Sequence, residues 1–144
     1  MLGAGFPAPG IHQFSDGTTV LGVIELTRVP RGLPAAVEVG LDDSALVDGM
    51  TLEIIGKSGL EAEVERGWMS ARQRLALGIP LHPDRMSHED WVTLPGIGEK
   101  LALQIERDRQ DFGDFGSFEA LERVKGIGQA KLKVLRPFFI RGAN

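Results

Sequence analysis

The second half of this chain repeats itself. Moved along by 30 residues, Asp84, Ser87, Glu89, Gly96, Ile97 and Gly98 fall on Asp114, Ser117, Glu119, Gly126, Ile127 and Gly128. The apolar positions match in kind: Trp91 with Leu121, Leu94 with Val124, Ala102 with Leu132, Ile105 with Leu135. A unit this short cannot bury its own apolar face, so the two copies must bury theirs against each other. Each copy reads as helix, tight turn, helix. Ser87 and Ser117 stand as N-caps, each followed by an acid that suits the positive helix end. Trp91 with Leu94, and Leu121 with Val124, are three apart and share one face. Leu94-Pro95-Gly96-Ile97-Gly98 and Val124-Lys125-Gly126-Ile127-Gly128 then stop the helix and turn the chain. A second helix leaves each turn, with Ile97, Leu101, Ala102 and Ile105 in the first copy and Ile127, Leu132 and Leu135 in the second.

A Gly-rich turn that opens a helix is an anion site in waiting. Its backbone N–H groups lack intrahelical partners and stand at the positive end of the dipole. Glycine leaves no Cβ to keep a phosphate off the backbone. The paired Gly-Ile-Gly turns, each behind a Ser-capped helix, resemble the paired helix-hairpin-helix domain, and most closely that of the ComEA-type competence proteins, which bind DNA during uptake and transformation. The resemblance runs over residues 81–139, from Leu81-His82-Pro83-Asp84 to Leu135-Arg136-Pro137-Phe138-Phe139.

The resemblance implies double-stranded DNA as partner, held by phosphates across the minor groove without a base code. It carries the contact onto Gly96, Ile97 and Gly98 with Lys100, and onto Gly126, Ile127 and Gly128 with Lys125, Lys131 and Lys133. It also implies a monovalent cation on the carbonyls of Val92, Leu94 and Ile97, as some family hairpins bind one; no other cofactor is expected. Glu99 puts a negative charge at the mouth of the first hairpin, where the second has neutral Gln129, so the second is expected to be the stronger phosphate contact. Leu101 stands at the position of Lys131, and either faces solvent or packs on the N-terminal half. A purely architectural hairpin, used as a protein-interaction scaffold, is the alternative reading. Lysine-dependent DNA glycosylases carry a similar Leu-Pro-Gly-x-Gly-x-Lys hairpin, which places Lys100 at the attacking position. The expected aspartate is represented only by Asp114 on a Gly-flanked loop, and no base-holding domain is in view. The expectation is a binding protein and not an enzyme, with no metal site: His12, His82 and His88 show no ligand spacing.

Charge neither excludes nor proves a polyanion partner. The net charge is −4, yet residues 81–144 are neutral and hold Arg123, Lys125, Lys131, Lys133, Arg136 and Arg141 in a stretch without an acid. A local basic face suffices for nucleic acid, although a solvated helix face gives the same pattern. Cysteine is absent, which removes disulfides, thiolate metal sites and cysteine nucleophiles.

The N-terminal half reads as β-structure. Gly10 to Phe14 is expected as a short strand turned by Asp16-Gly17, and Val20 to Leu26 suits either helix or strand. Leu46-Val47-Asp48-Gly49-Met50 leads into a strand at Thr51–Ile55. Lys57-Ser58-Gly59 turns into the alternating Leu60 to Glu65. Residues 9–55 resemble the soluble-ligand-binding β-grasp (SLBB) domain that precedes the hairpins in many ComEA-type proteins, through Pro9-Gly10, Asp16-Gly17-Thr18-Thr19-Val20 and Leu46-Val47-Asp48-Gly49. The usual Gly-Gly after the helix is replaced by Thr27-Arg28-Val29-Pro30, and a structural or protein-binding module stays open beside a ligand site. Ser70 to Leu77 is a short helix ended by Gly78. The expected fold is α+β: a β-grasp-like domain at 1–66, a helical connector at 67–83 and the paired hairpins, all α, at 84–141. The resemblance implies an extracytoplasmic, membrane-tethered or periplasmic place. Met1 to Gly10 shows neither the basic start nor the apolar core of an export signal, which leaves a cytoplasmic repair or recombination accessory as the alternative.

Overall fold

The computed structural model describes residues 1–28, 44–57 and 61–140. The chain divides into two compact units, Met1–Met69 and Ser70–Asn144. The architecture is α+β, with the β part first and the helical part second.

The first unit is built on a hairpin of β1 (Met50–Lys57) and β2 (Glu61–Trp68), antiparallel in a register from Met50↔Trp68 to Lys57↔Glu61. Alternation puts Met50, Leu52 and Ile54 on one face, and Leu52 is fully buried. Residues 1–4 run parallel to β1. The Leu52 N–H donates to the Met1 carbonyl at 3.0 Å, and the Ile54 N–H to that of Ala4 at 2.9 Å. Helix α1 (Val20–Leu26) settles the ambiguity of its segment: Val20 and Val23, three apart, are both wholly buried against Leu2, Phe6 and Leu52. Thr19 starts α1 by accepting the Gly22 N–H at 3.2 Å. The expected strand at Gly10–Phe14 is not formed. Only Gly10 pairs, with Leu2, and Ile11 to Phe14 have no strand partner, with Ile11 largely exposed. Among the described residues the sheet has two strands. The turn expected at Ser58-Gly59 and the Val29-Pro30 step lie outside the described residues.

The second unit opens with α2 (Ala71–Ala76), whose N-cap Ser70 forms a reciprocal capping box with Gln73. Trp68 ends β2, and Ala71 and Leu81 enter the core of the helical unit. A 3-10 turn at Pro83–Arg85 leads to α3 (His88–Val92), where Ser87 and Asp90 close a second capping box. The Asp90 carboxylate also accepts the Ala71 N–H at 2.6 Å, tying α2 to α3. Helices α4 (Glu99–Phe112) and α5 (Gln129–Phe139) are the second helices of the two repeats. Between them, the expected leading helix of the second repeat is a 3-10 turn, Glu119–Arg123. Ser117 does accept the Ala120 N–H at 3.3 Å. Ala120, however, stands where Asp90 stands in the first copy, so no carboxylate closes the box.

The two repeats bury each other. Trp91, Leu94, Ile97, Ala102 and Ile105 share one core with Leu121, Val124, Ile127, Leu132 and Leu135. Phe139 is stacked between Trp91 and Phe118, with ring centroids 5.8 and 4.9 Å away. Asp84 fixes the loop between the repeats by accepting the N–H groups of Phe115 and Gly116 at 2.7 and 2.9 Å.

Candidate nucleic-acid interface

The two turns are built alike, atom for atom. In the first, the Ile97 N–H donates to the Leu94 carbonyl at 3.2 Å; in the second, Ile127 donates to Val124 at 3.0 Å. The third residue of each has positive φ, +78° at Gly96 and +102° at Gly126, which an L side chain adopts only under strain. Gly98 and Gly128 then begin the helices in ordinary extended conformation, with φ −103° and −105°. The Gly98 carbonyl accepts from Leu101 and Ala102, the Gly128 carbonyl from Lys131 and Leu132, all at 2.9–3.0 Å. Ile97 and Ile127 are buried and their N–H groups are spent inside the turn, so both anchor the hairpins while the glycines stay exposed.

What the helices lack is as telling as what they have. Helices α1, α2 and α3 each start under a Thr or Ser side chain, whereas α4 and α5, the longest, start at glycines with no side-chain cap. Nothing lies within 4 Å of where a Cβ would stand on Gly98 or Gly128. The first N–H groups of α4 and α5 therefore face open space at the positive helix end, a geometry suited to an oxyanion.

The charged residues sort themselves by what they touch. Arg123, expected in a free basic stretch, is bound to Asp108 and to the Gly113 carbonyl and lies over the Phe115 ring. Arg136 pairs with Glu119 at 3.4 Å. Lys100, Lys125 and Lys133 are exposed and make no ion pair or hydrogen bond among the described residues. Lys131 is half-buried, and its ammonium donates to the carbonyl of Gly96 at 2.9 Å, in the other hairpin from its own. Leu101 is half-buried and packs against the core of the helical unit. Its Cδ1 would stand 3.3 Å from a Cβ on Gly126. Arg141 lies outside the described residues. Counted over the observed units, residues 70–144 carry twelve Lys and Arg against ten Asp and Glu, and residues 1–69 carry four against ten. The helical unit is the one suited to a polyanion.

Glu99 is not a free charge. His88, expected on a surface loop, sits at the start of α3 and bonds the Glu99 carboxylate through Nε2 at 2.6 Å, while its Nδ1 lies 3.5 Å from Glu106. The hydrogen bond to Glu99 raises the His88 pKa; desolvation opposes it, and the charges of Glu99, Glu106 and Glu89 add to the rise. A raised folded pKa means that the pairing is fully present below the ordinary histidine value of about 6.5 and is lost as pH rises through the higher, folded value. Above that point His88 no longer sets a positive charge against Glu99. The expected result is a His88 titration, followed by ring-proton NMR, above the ordinary value and falling toward it in Glu99→Gln. Affinity for a polyanion should decline over the same interval in the parent and not in His88→Gln. A His88 that titrates identically with and without Glu99 would contradict the pairing.

Lys100 lies in the first turn of α4, and Asp114 sits exposed on the loop after it. His82 caps the 3-10 turn through Nδ1, and His12 bonds the Ala8 carbonyl. Among the described residues no group of three His, Asp or Glu side chains could hold a metal ion. No helix there is long and apolar enough to cross a membrane.

Residues 86–140 match the family described as the helix-hairpin-helix motif. Residues 86–140 therefore carry a helix-hairpin-helix motif, which suggests nucleic-acid binding. A comparison with curated proteins finds no match.

Proposed function

We propose that this chain binds double-stranded DNA through backbone phosphates, without sequence preference and without catalysing a reaction. The observation that carries the reading is the pair of exposed glycine starts, Gly98 and Gly128, at the two uncapped helices. Among the described α-helices, Thr and Ser cap α1, α2 and α3, while the two that leave matching turns at glycines are uncapped. Two such sites on one rigid core can hold two phosphate runs at once, and Lys100, Lys125 and Lys133 add mobile cations around them. The resemblance to ComEA-type proteins extends the proposal: the first unit is a β-grasp-like module for a ligand or protein partner, and the protein acts outside the cytoplasm as a receptor in DNA uptake.

The test is a gel shift at low salt with an arbitrary duplex. The full chain should retard it, and Lys125→Glu with Lys133→Glu should weaken binding and flatten the log–log salt dependence by about two units, equally on every duplex. Both side chains are exposed, so circular dichroism should be unchanged. A protein-interaction scaffold would give no retardation in either case. For the chemistry, duplexes with abasic or damaged sites should yield neither cleavage nor a borohydride-trapped adduct; an adduct lost in Lys100→Ala would reveal an enzyme.

A further inference from the structure

We infer that Lys131, carried by the second hairpin, supplies the cation of the first hairpin's phosphate site. The inference rests on the DNA-binding reading above and adds to it which residue serves which turn. Its ammonium donates to the Gly96 carbonyl at 2.9 Å and stands 3.9 Å from where a Cβ on Gly96 would be, over the exposed side of the first turn. An ammonium has three N–H donors. One is spent on Gly96, which fixes the group in place, and two remain for an incoming oxyanion.

The pseudo-symmetry explains the exchange. Position 101 of the first repeat matches position 131 of the second, and each reaches across to the other repeat's turn: Leu101 to Gly126, Lys131 to Gly96. The placement is symmetric and the chemistry is not. The second turn receives a methyl group, with the Gln104 amide oxygen 3.8 Å from a Gly126 Cβ, and draws its charge from its own Lys125. The first turn carries Glu99, paired with His88, and has exposed Lys100 of its own hairpin beside it. A borrowed lysine brings a cation to the Gly96 side of that turn. The first hairpin is then not a complete site without the second.

The experiment follows the backbone amides of the full chain by ¹H–¹⁵N NMR during titration with a short duplex of arbitrary sequence. In the parent, the amides of Gly98, Glu99 and Lys100 and those of Gly128, Gln129 and Ala130 should both shift. Lys131→Gln should abolish the shifts of the first set, keep those of the second and lower the salt slope by about one unit. Lys131→Arg should restore the first set, and Lys133→Gln, the same charge change on the same helix, should spare it. Leu101→Lys, the reciprocal change, should enlarge the shifts of the second set and raise the slope by about one, and does not depend on the Lys131 variants folding. Loss of the second set in Lys131→Gln, or no selective loss, would overturn the inference while leaving DNA binding intact. Absence of both sets in the parent would overturn the DNA-binding reading, and the inference with it.

Discussion

Aspartate at both Gly98 and Gly128 is expected to make the helical unit more stable and to abolish its hold on DNA. Both positions have ordinary extended dihedrals and open space at the Cβ, so the substitution strains nothing. Aspartate is a better N-cap than glycine by a few tenths of a kcal/mol, and its charge at the helix start adds about 0.3–1 kcal/mol per helix. Melting should rise by several degrees, since about 1 kcal/mol moves Tm by roughly 4–8 °C at this domain size. Binding should move the other way. The new side chain occupies the N–H groups and sets a negative charge where the phosphate would lie. Losing hydrogen bonds to a charged group costs about 1.5–3 kcal/mol each, so two sites give about a hundredfold or more in Kd. Alanine at Gly96 and Gly126 cannot separate the two effects, because positive φ at both makes any side chain costly to the fold itself. Thermal melts and duplex titrations on the same samples check the opposition. Unchanged binding in the stabilised variant would mean that the helix starts are not the contact.

Trp91→Ala should have the largest effect on folding. The side chain is wholly buried and stacks on Phe139, which stacks in turn on Phe118 of the second repeat. Truncating such a residue costs about 3–5 kcal/mol, a large part of the 5–15 kcal/mol typical of a domain. Phenylalanine should cost much less. The indole Nε1 has no acceptor among the described residues, so the substitution removes an unsatisfied donor as it removes volume. Urea midpoints at unchanged m-value measure both changes. A loss below about 1 kcal/mol for alanine would show that the aromatic stack does not join the repeats.

The helical half was legible because its information is local and doubled. Two copies of the same apolar spacing fix which side chains turn inward, and two Gly-Ile-Gly turns fix where the chain reverses. The sequence expectation failed where one copy lacks a partner residue: without an acid at Ala120, the second leading helix tightens to a 3-10 turn. Gly10–Phe14 failed for the opposite reason, since a strand needs a neighbour and only Gly10 finds one. The glycines of the site could be named from sequence, but the assignment of charges could not. Arg123 looks free in sequence and is bound to Asp108, 15 residues away; Lys131 looks like part of the second hairpin and reaches the first, 35 residues away. His88 and Glu99 meet only because the first turn folds α3 back toward the start of α4. Pairings across a pseudo-symmetric core depend on its packing, which residue spacing alone does not encode.

The most direct test of the central claim is the salt dependence of duplex binding by the full chain. Affinities for two duplexes unrelated in sequence should coincide at every salt concentration. A footprint of about four to six phosphates gives a log–log slope near −4 to −5. Binding that ignores salt, or that strongly prefers one sequence, would contradict a protein that holds DNA by its backbone.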